Sequence, residues 1–182
     1  GQPESYNEQA AYMQDRATPG NNVTGVYEKL YVERSIRVFE MIPALEGDTY
    51  VFITDRSPTG LALAAQLALE LETPLPGLDY RFEVVEDWAG YQALILSLND
   101  STSVKGIYPV ALSLKKDEET TYTAGDIFQW TIEHSRHPEM ALNYFFSKIG
   151  LFGGAAVDFT AMGHLAGLKA GQYPDGLRPA IA

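Results

Sequence analysis

The feature that most constrains the fold is a short apolar run at residues 50–53, which leads directly into a strong helical pattern. Consecutive apolar residues, rather than an alternating set, indicate a strand that is buried on both faces. A polar turn follows at residues 55–60, where Ser57 is placed to cap a helix and Pro58 suits its first position. Residues 61–72 are rich in Ala, Leu, Gln and Glu, which favours a helix. A buried strand that passes directly into a helix predicts an α/β arrangement.

Four other segments alternate between apolar and polar residues, which is the pattern of a half-buried strand. They are residues 26–42, 80–85, 108–114 and 120–134. The last segment is ambiguous, because Gly125 and Asp126 interrupt it as a bulge or a turn would. A helix that begins at Asp126 is the competing interpretation.

Helical patterns occupy three further segments. Asp87 is placed to cap a helix over residues 88–98. Pro138 is suited to the first turn of a helix over residues 138–149. The last helix covers residues 155–169, before glycine and proline residues end it.

The order of these elements predicts an α+β (mixed α/β) fold. We expect one central mixed sheet of about five strands, with helices packed on it and two helices at the C-terminus. Residues 1–25 are rich in polar and turn-forming residues, which predicts a flexible N-terminal tail. Residues 26–182 then form a single domain, a length that one hydrophobic core can support.

The charge balance excludes several kinds of partner. The chain has 13 Lys and Arg against 24 Asp and Glu, so that its formal net charge is −11. Proteins that bind nucleic acids or anionic membrane surfaces need clustered basic residues to replace the counterions of phosphate groups. No such cluster exists in this acidic chain, and we therefore expect no nucleic acid partner.

The chain contains no cysteine, which excludes disulfides, thiolate catalysis and zinc sites built on sulfur. It begins with Gly1 rather than Met, as a mature exported protein does, and as a chain released from an expression tag does. The first alternative favours a periplasmic or secreted location. Asp158 and His164 interrupt the long apolar stretch near the C-terminus, so we expect no membrane span.

The most promising site is the turn at residues 55–60, because it lies between a buried strand and the start of a helix. Ligands of open α/β sheets collect at the carboxyl ends of strands, and helix N-termini attract anions. The candidate ligand contacts are Arg56, Ser57, Thr59 and Gly60. Asp55 is a candidate catalytic base or metal ligand. The competing interpretation is a capped helix start, which explains every residue of the turn except Asp55 and Arg56.

Two histidines, His134 and His137, are further candidate catalytic residues, because His exchanges protons near neutral pH. Glu133 and Glu139 flank them, and such side chains also bind metals. The spacing is poor for a metal site, since the two histidines are three residues apart and Pro138 disfavours a helix at His137. We therefore predict no metal and no cofactor. A polar connection without chemistry is the competing interpretation.

No catalytic signature accompanies these residues. The chain lacks the P-loop with its Lys, the dinucleotide fingerprint G-x-G-x-x-G and the nucleophile motif G-x-S-x-G. We therefore favour a non-enzymatic binding, accessory or assembly protein, whose partner is a protein or a small anionic molecule. The alternative is a small hydrolase or transferase that acts on an anionic small molecule at residues 55–60. The sequence leaves the oligomeric state open.

Overall fold

A computed structural model of the chain describes residues 29–73, 75–110, 113–155 and 158–171. The helices and strands of these residues, in chain order, are α1 (Val32–Glu40), β1 (Thr49–Asp55), α2 (Pro58–Glu70), β2 (Asp79–Val85), α3 (Trp88–Leu98), β3 (Val104–Pro109), α4 (Ala124–His134), α5 (Tyr144–Ile149) and α6 (Phe159–Gly171).

The chain divides into two compact units. Residues 30–157 form one unit, which contains the sheet and the helices α1 to α5. Residues 1–29 and 158–182 belong to the other, of which α6 is the described helix. The predicted flexible tail, residues 1–25, lies outside the described residues, and one domain over residues 26–182 stays a prediction. None of the described helices is both long enough and apolar enough to cross a membrane.

The three strands form one parallel sheet in the order β2-β1-β3. Phe52 in the central strand lies opposite Phe82 of β2 and Tyr108 of β3. Parallel neighbours need a crossover connection, and α2 and α3 supply the two crossovers. The chain passes from β1 to β2 at one edge of the sheet and then crosses over β1 to β3 at the other edge. Because both crossovers have the same hand, α2 and α3 lie on opposite faces of the sheet.

The central strand creates two hydrophobic cores, because its successive side chains point to opposite faces of the sheet. Tyr50 and Phe52 are buried against residues of α1 and α2, and Val51 and Ile53 are buried against residues of α3 and α4. Burial on both faces explains why residues 50–53 are continuously apolar, and the predicted buried strand is confirmed.

A short segment continues the sheet beyond β3. The N–H of Ile107 donates to the carbonyl of Pro138 at 3.1 Å, and the N–H of Met140 donates to the carbonyl of Ile107 at 2.8 Å. On the far side of this segment, Met140 pairs with Gly153 in a further parallel bridge. Glu139 and Met140 therefore lie in β-bridges, and the helix predicted from Pro138 begins only at Tyr144.

The prediction of about five strands in a mixed sheet is wrong in number and direction, although the α+β class agrees with the structure. The described residues form three strands, and all pairs between them are parallel. The third strand ends at Pro109, so that the predicted strand over residues 108–114 covers only its last two residues. Two of the predicted strands are helices.

The first of these is α1, in the region predicted as a strand over residues 26–42. Its buried side chains are Val32, Ser35, Ile36 and Phe39, whose spacing is that of one helix face. Several of the apolar residues also fall at even positions, which produces the misleading strand pattern. Val38 and Phe39 distinguish a helix from the predicted strand. The strand would bury Val38, but this residue is 43% exposed and Phe39 is fully buried.

The second is α4, in the region predicted as a strand over residues 120–134. Thr123 caps the helix by accepting the N–H of Asp126, and the carboxylate of Asp126 accepts the N–H of Thr123 in return. This reciprocal capping box stabilises a helix start. The competing interpretation, a helix from Asp126, is correct in kind, although the helix begins at Ala124.

Glu139 is a buried carboxyl group in the segment that continues the sheet, with only 7% of its surface exposed. Burial raises the pKa of this carboxyl, and the backbone N–H groups of Glu139 and Phe152 partly oppose the shift. A raised pKa means that the folded protein holds the proton more tightly than the unfolded chain does. The folded state is therefore favoured at low pH and loses stability as the pH rises through this pKa.

We predict that Glu139→Gln raises the thermal midpoint at pH 7 relative to the wild type, because Gln keeps the shape of the side chain without its charge. The gain should disappear near pH 4, where the carboxyl is protonated in both states. Thermal unfolding followed by circular dichroism measures both values, with the exposed Glu118→Gln as a control. A gain that persists at low pH, or a loss at neutral pH, would contradict this account.

Candidate functional site

The carboxyl edge of the sheet contains the point at which the topology changes direction. The chain leaves β1 toward α2 on one face and leaves β3 toward α4 on the other. Where the topology changes direction in this way, the loops after neighbouring strands are expected to diverge, and ligands of open α/β sheets bind in the crevice between such loops. The predicted turn at residues 55–60 is the β1 side of this crevice.

Asp55 connects the two sides of the crevice. This last residue of β1 is only 3% exposed. One carboxylate oxygen, Oδ1, accepts the backbone N–H of Ser57 at 2.8 Å and also the Ser57 hydroxyl. The other, Oδ2, accepts the backbone N–H of Ser113, in the loop after β3, at 2.9 Å. A single side chain thus fixes the turn after β1 and joins it to the loop after β3.

The start of α2 is built on the same contacts. Ser57 caps the helix, as predicted, by accepting the N–H of Gly60 at 3.0 Å, and Pro58 occupies its first turn. Gly60 lies so close to Asp55 that a Cβ at this position would overlap with the carbonyl oxygen and the carboxylate of Asp55. Close approach of the backbone therefore explains the glycine.

Few hydrogen-bond donors of this turn are left for a ligand. Ser57 and Gly60 use their N–H groups in the contacts above, and Pro58 has none. The side chain of Arg56 forms an ion pair with Glu86 at 3.0 Å, in which both side chains are about two-thirds exposed or more. Exposed pairs contribute little stability, so a ligand can compete for this guanidinium. Thr59 is half-buried in the first turn of the helix.

The two candidate histidines lie at the other end of the sheet. His137 lines a cavity of about 280 Å³ together with Val104, the first residue of β3. His134 is the last residue of α4. The seven residues of β1 separate the two edges of the sheet by roughly 20 Å. Asp55 and the histidines are therefore not brought together.

Both imidazole rings take part in local contacts. Nδ1 of His134 lies 2.7 Å from the carbonyl oxygen of Trp130, and its ring stacks on the indole at a centroid distance of 4.1 Å. Nε2 of His137 lies 2.8 Å from the carbonyl oxygen of Leu98 at the end of α3. These contacts fit the competing interpretation of residues 133–139 as a structural connection.

Metal ligands do not converge in the part of the chain that the structure describes. There, no three His, Asp or Glu side chains are close enough to hold a metal ion. Asp55, which the sequence suggested as a metal ligand, uses both oxygens to accept hydrogen bonds from the protein.

Ser113 and Glu86 are the parts of this site that the sequence did not reveal. Ser113 lay at the end of a predicted strand. No local sequence pattern reveals that its backbone N–H donates to the Asp55 carboxylate, 58 residues away. Glu86 follows β2 immediately, so the rule that loops at carboxyl ends meet at one edge could have placed it near Arg56.

A search with this chain finds no matching family model, no similar curated protein and no similar solved structure.

We predict that Gly60→Ala destabilises the protein by about 1–3 kcal/mol, because the added methyl group displaces Asp55 from its donors. Gly90→Ala is the matched control. Gly90 also donates to the cap of its helix, Asp87, but a Cβ there meets only Asp87 Oδ1, at 3.3 Å. Gly90→Ala should leave the free energy of unfolding unchanged or raise it by up to about 1 kcal/mol. Chemical denaturation measures both changes, and equal effects would contradict the close approach at Gly60.

Proposed function

We propose that this chain is a non-enzymatic binding domain that holds a small anionic molecule in the crevice between the loops after β1 and β3. The observation that supports this most strongly is the position of Asp55. It joins the two loops at the point where the sheet changes direction, which gives the crevice a fixed shape before a ligand arrives. Fixed sites bind with less loss of conformational entropy than mobile ones.

The charges around the crevice favour an anion. Arg56 is the cation of this turn, and its partner Glu86 is exposed and easily displaced. The N-terminus of α2 adds its partial positive charge, and the Thr59 side chain lies in its first turn. The negative charge of Asp55 opposes an anion, and the three hydrogen bonds that the carboxylate accepts from the protein offset part of this charge.

The same contacts argue for binding rather than catalysis. A general base must be within hydrogen-bond reach of the proton that it removes. Asp55 is occupied by donors of the protein, and His134 and His137 lie near the opposite edge of the sheet. No described residue at the crevice is both titratable near neutral pH and free of structural contacts, so no observation favours the hydrolase or transferase alternative.

The test is a titration of the isotopically labelled full chain with inorganic phosphate and, separately, sulfate, followed by NMR amide shifts. We predict saturable shifts at Arg56, Ser57, Thr59 and Ser113. Arg56→Ala should weaken binding about tenfold or more, because a hydrogen bond to a charged group contributes about 1.5–3 kcal/mol. Arg37→Ala is the matched control, since Arg37 is another exposed Arg in an ion pair with a Glu.

Three results would count against the proposal. Saturating anion that moves no amide of the turn would reduce the segment to a helix cap. Equal loss of binding in both Arg variants would indicate a diffuse charge effect. Conversion of a phosphate monoester by the wild type, abolished by Arg56→Ala and followed by phosphorus NMR, would favour the hydrolase alternative.

A further inference from the structure

One edge of the sheet is unpaired in the described part of the chain. β2 pairs with β1 along one side, and no other described strand lies on its second side. An exposed edge of this kind presents a row of backbone donors and acceptors that another strand can pair with. Most proteins protect such edges with inward-pointing charges, proline or bulges. β2 contains no proline, and its register with β1 is regular over all seven residues.

The backbone direction along β2 identifies the free groups. The N–H of Asp79 donates to the carbonyl of Asp48, just before β1, so the backbone N–H and carbonyl of Asp79 face the central strand. Along a strand, the backbone N–H and carbonyl groups of successive residues face opposite edges. Tyr80, Phe82 and Val84 therefore direct their N–H and carbonyl groups toward the free edge.

We infer that this edge binds a second copy of the chain, with the two β2 strands antiparallel about a two-fold axis at Phe82. The reason is that the strand is complementary to itself in this register. Phe82 meets Phe82 of the second copy, Tyr80 meets Val84, and Arg81 meets Glu83. Every residue that directs its backbone outward then lies in a hydrogen-bonded pair, which is the arrangement that antiparallel strands need.

Neighbouring registers lack this complementarity. An axis at Arg81 places two guanidinium groups opposite each other, and an axis at Glu83 places two carboxylates opposite each other. Like charges directly opposite destabilise a strand pair, whereas opposite charges stabilise it. In the register at Phe82, the Arg81–Glu83 ion pair that exists within one strand extends to the second copy.

The edge strand also exposes apolar side chains. Phe82 stacks on Phe52 at 5.2 Å between ring centroids, yet it remains 44% exposed, and Val84 is 41% exposed. Helix α3 packs on β2 and exposes Leu96. A two-fold axis perpendicular to the sheet keeps this helix on the same face as its copy.

The net charge of −11 on each copy opposes association. At physiological ionic strength the Debye length is about 8 Å, so repulsion between distant charges is screened while the Arg81–Glu83 contacts are affected less. The dimer should therefore be stable at physiological salt and weaker at very low salt.

Two charge reversals test the register directly. Arg81→Glu alone places Glu opposite Glu, and Glu83→Arg alone places Arg opposite Arg, so each variant should be a monomer. An equal mixture of the two restores opposite charges at both positions and should form a heterodimer. Sedimentation velocity of the full chain at about 100 μM detects even a dimer with a Kd of about 10 μM. Arg37→Glu, an exposed reversal on α1, should leave the wild-type dimer intact.

The expected result is a doubled mass for the wild type, the Arg37→Glu control and the mixture, with single mass for each reversal alone. Circular dichroism confirms that each variant is folded. The mixture is a second control for folding, because a misfolded variant would not form the heterodimer. A monomeric wild type would overturn the inference. Single reversals that stay dimeric, or a mixture that stays monomeric, would also overturn it.

Discussion

The carboxyl edge of this sheet depends on the buried carboxylate of Asp55. A carboxylate removed from water is strongly unfavourable unless protein donors replace its hydration. Here the replacements are the Ser57 N–H and hydroxyl on one oxygen and the Ser113 N–H on the other. Because these donors belong to the loops after β1 and β3, the need to satisfy one charge sets both the start of α2 and the separation of the two loops.

This interaction accounts for the local sequence and limits its chemistry. Ser57 both donates to Asp55 and caps α2, and Gly60 is required because its backbone passes against Asp55. A carboxylate with both oxygens occupied is a poor catalytic base, whereas a crevice of fixed shape suits binding. The histidines near the opposite edge are engaged with the carbonyl oxygens of Trp130 and Leu98. Binding at the Arg56 side of the crevice is therefore the function that these contacts favour.

The sequence predicted those elements whose signals are local. The buried strand β1, the Ser57 and Asp87 caps and the helices α2 and α3 follow from short patterns, and the structure agrees with each of them. Residues 26–42 were misleading because the spacing of Val32 and Ile36 fits both a strand and a helix, and only the burial of Phe39 decides between the two. The partner of Asp55 was beyond reach, since Ser113 lies near it only through the order of the strands. The position of Glu86 directly after β2 could have placed it near Arg56.

The connection that Asp55 makes between the two loops can be tested by measuring scalar couplings across hydrogen bonds in the labelled wild-type protein. We expect couplings from the amide nitrogens of Ser57 and Ser113 to the side-chain carboxyl carbon of Asp55. The backbone hydrogen bond from Val110 to Ile53, with 2.8 Å between nitrogen and oxygen, is the internal standard of sensitivity. If that standard is detected while Ser113 couples to a different acceptor, or to none, Asp55 does not join the loops.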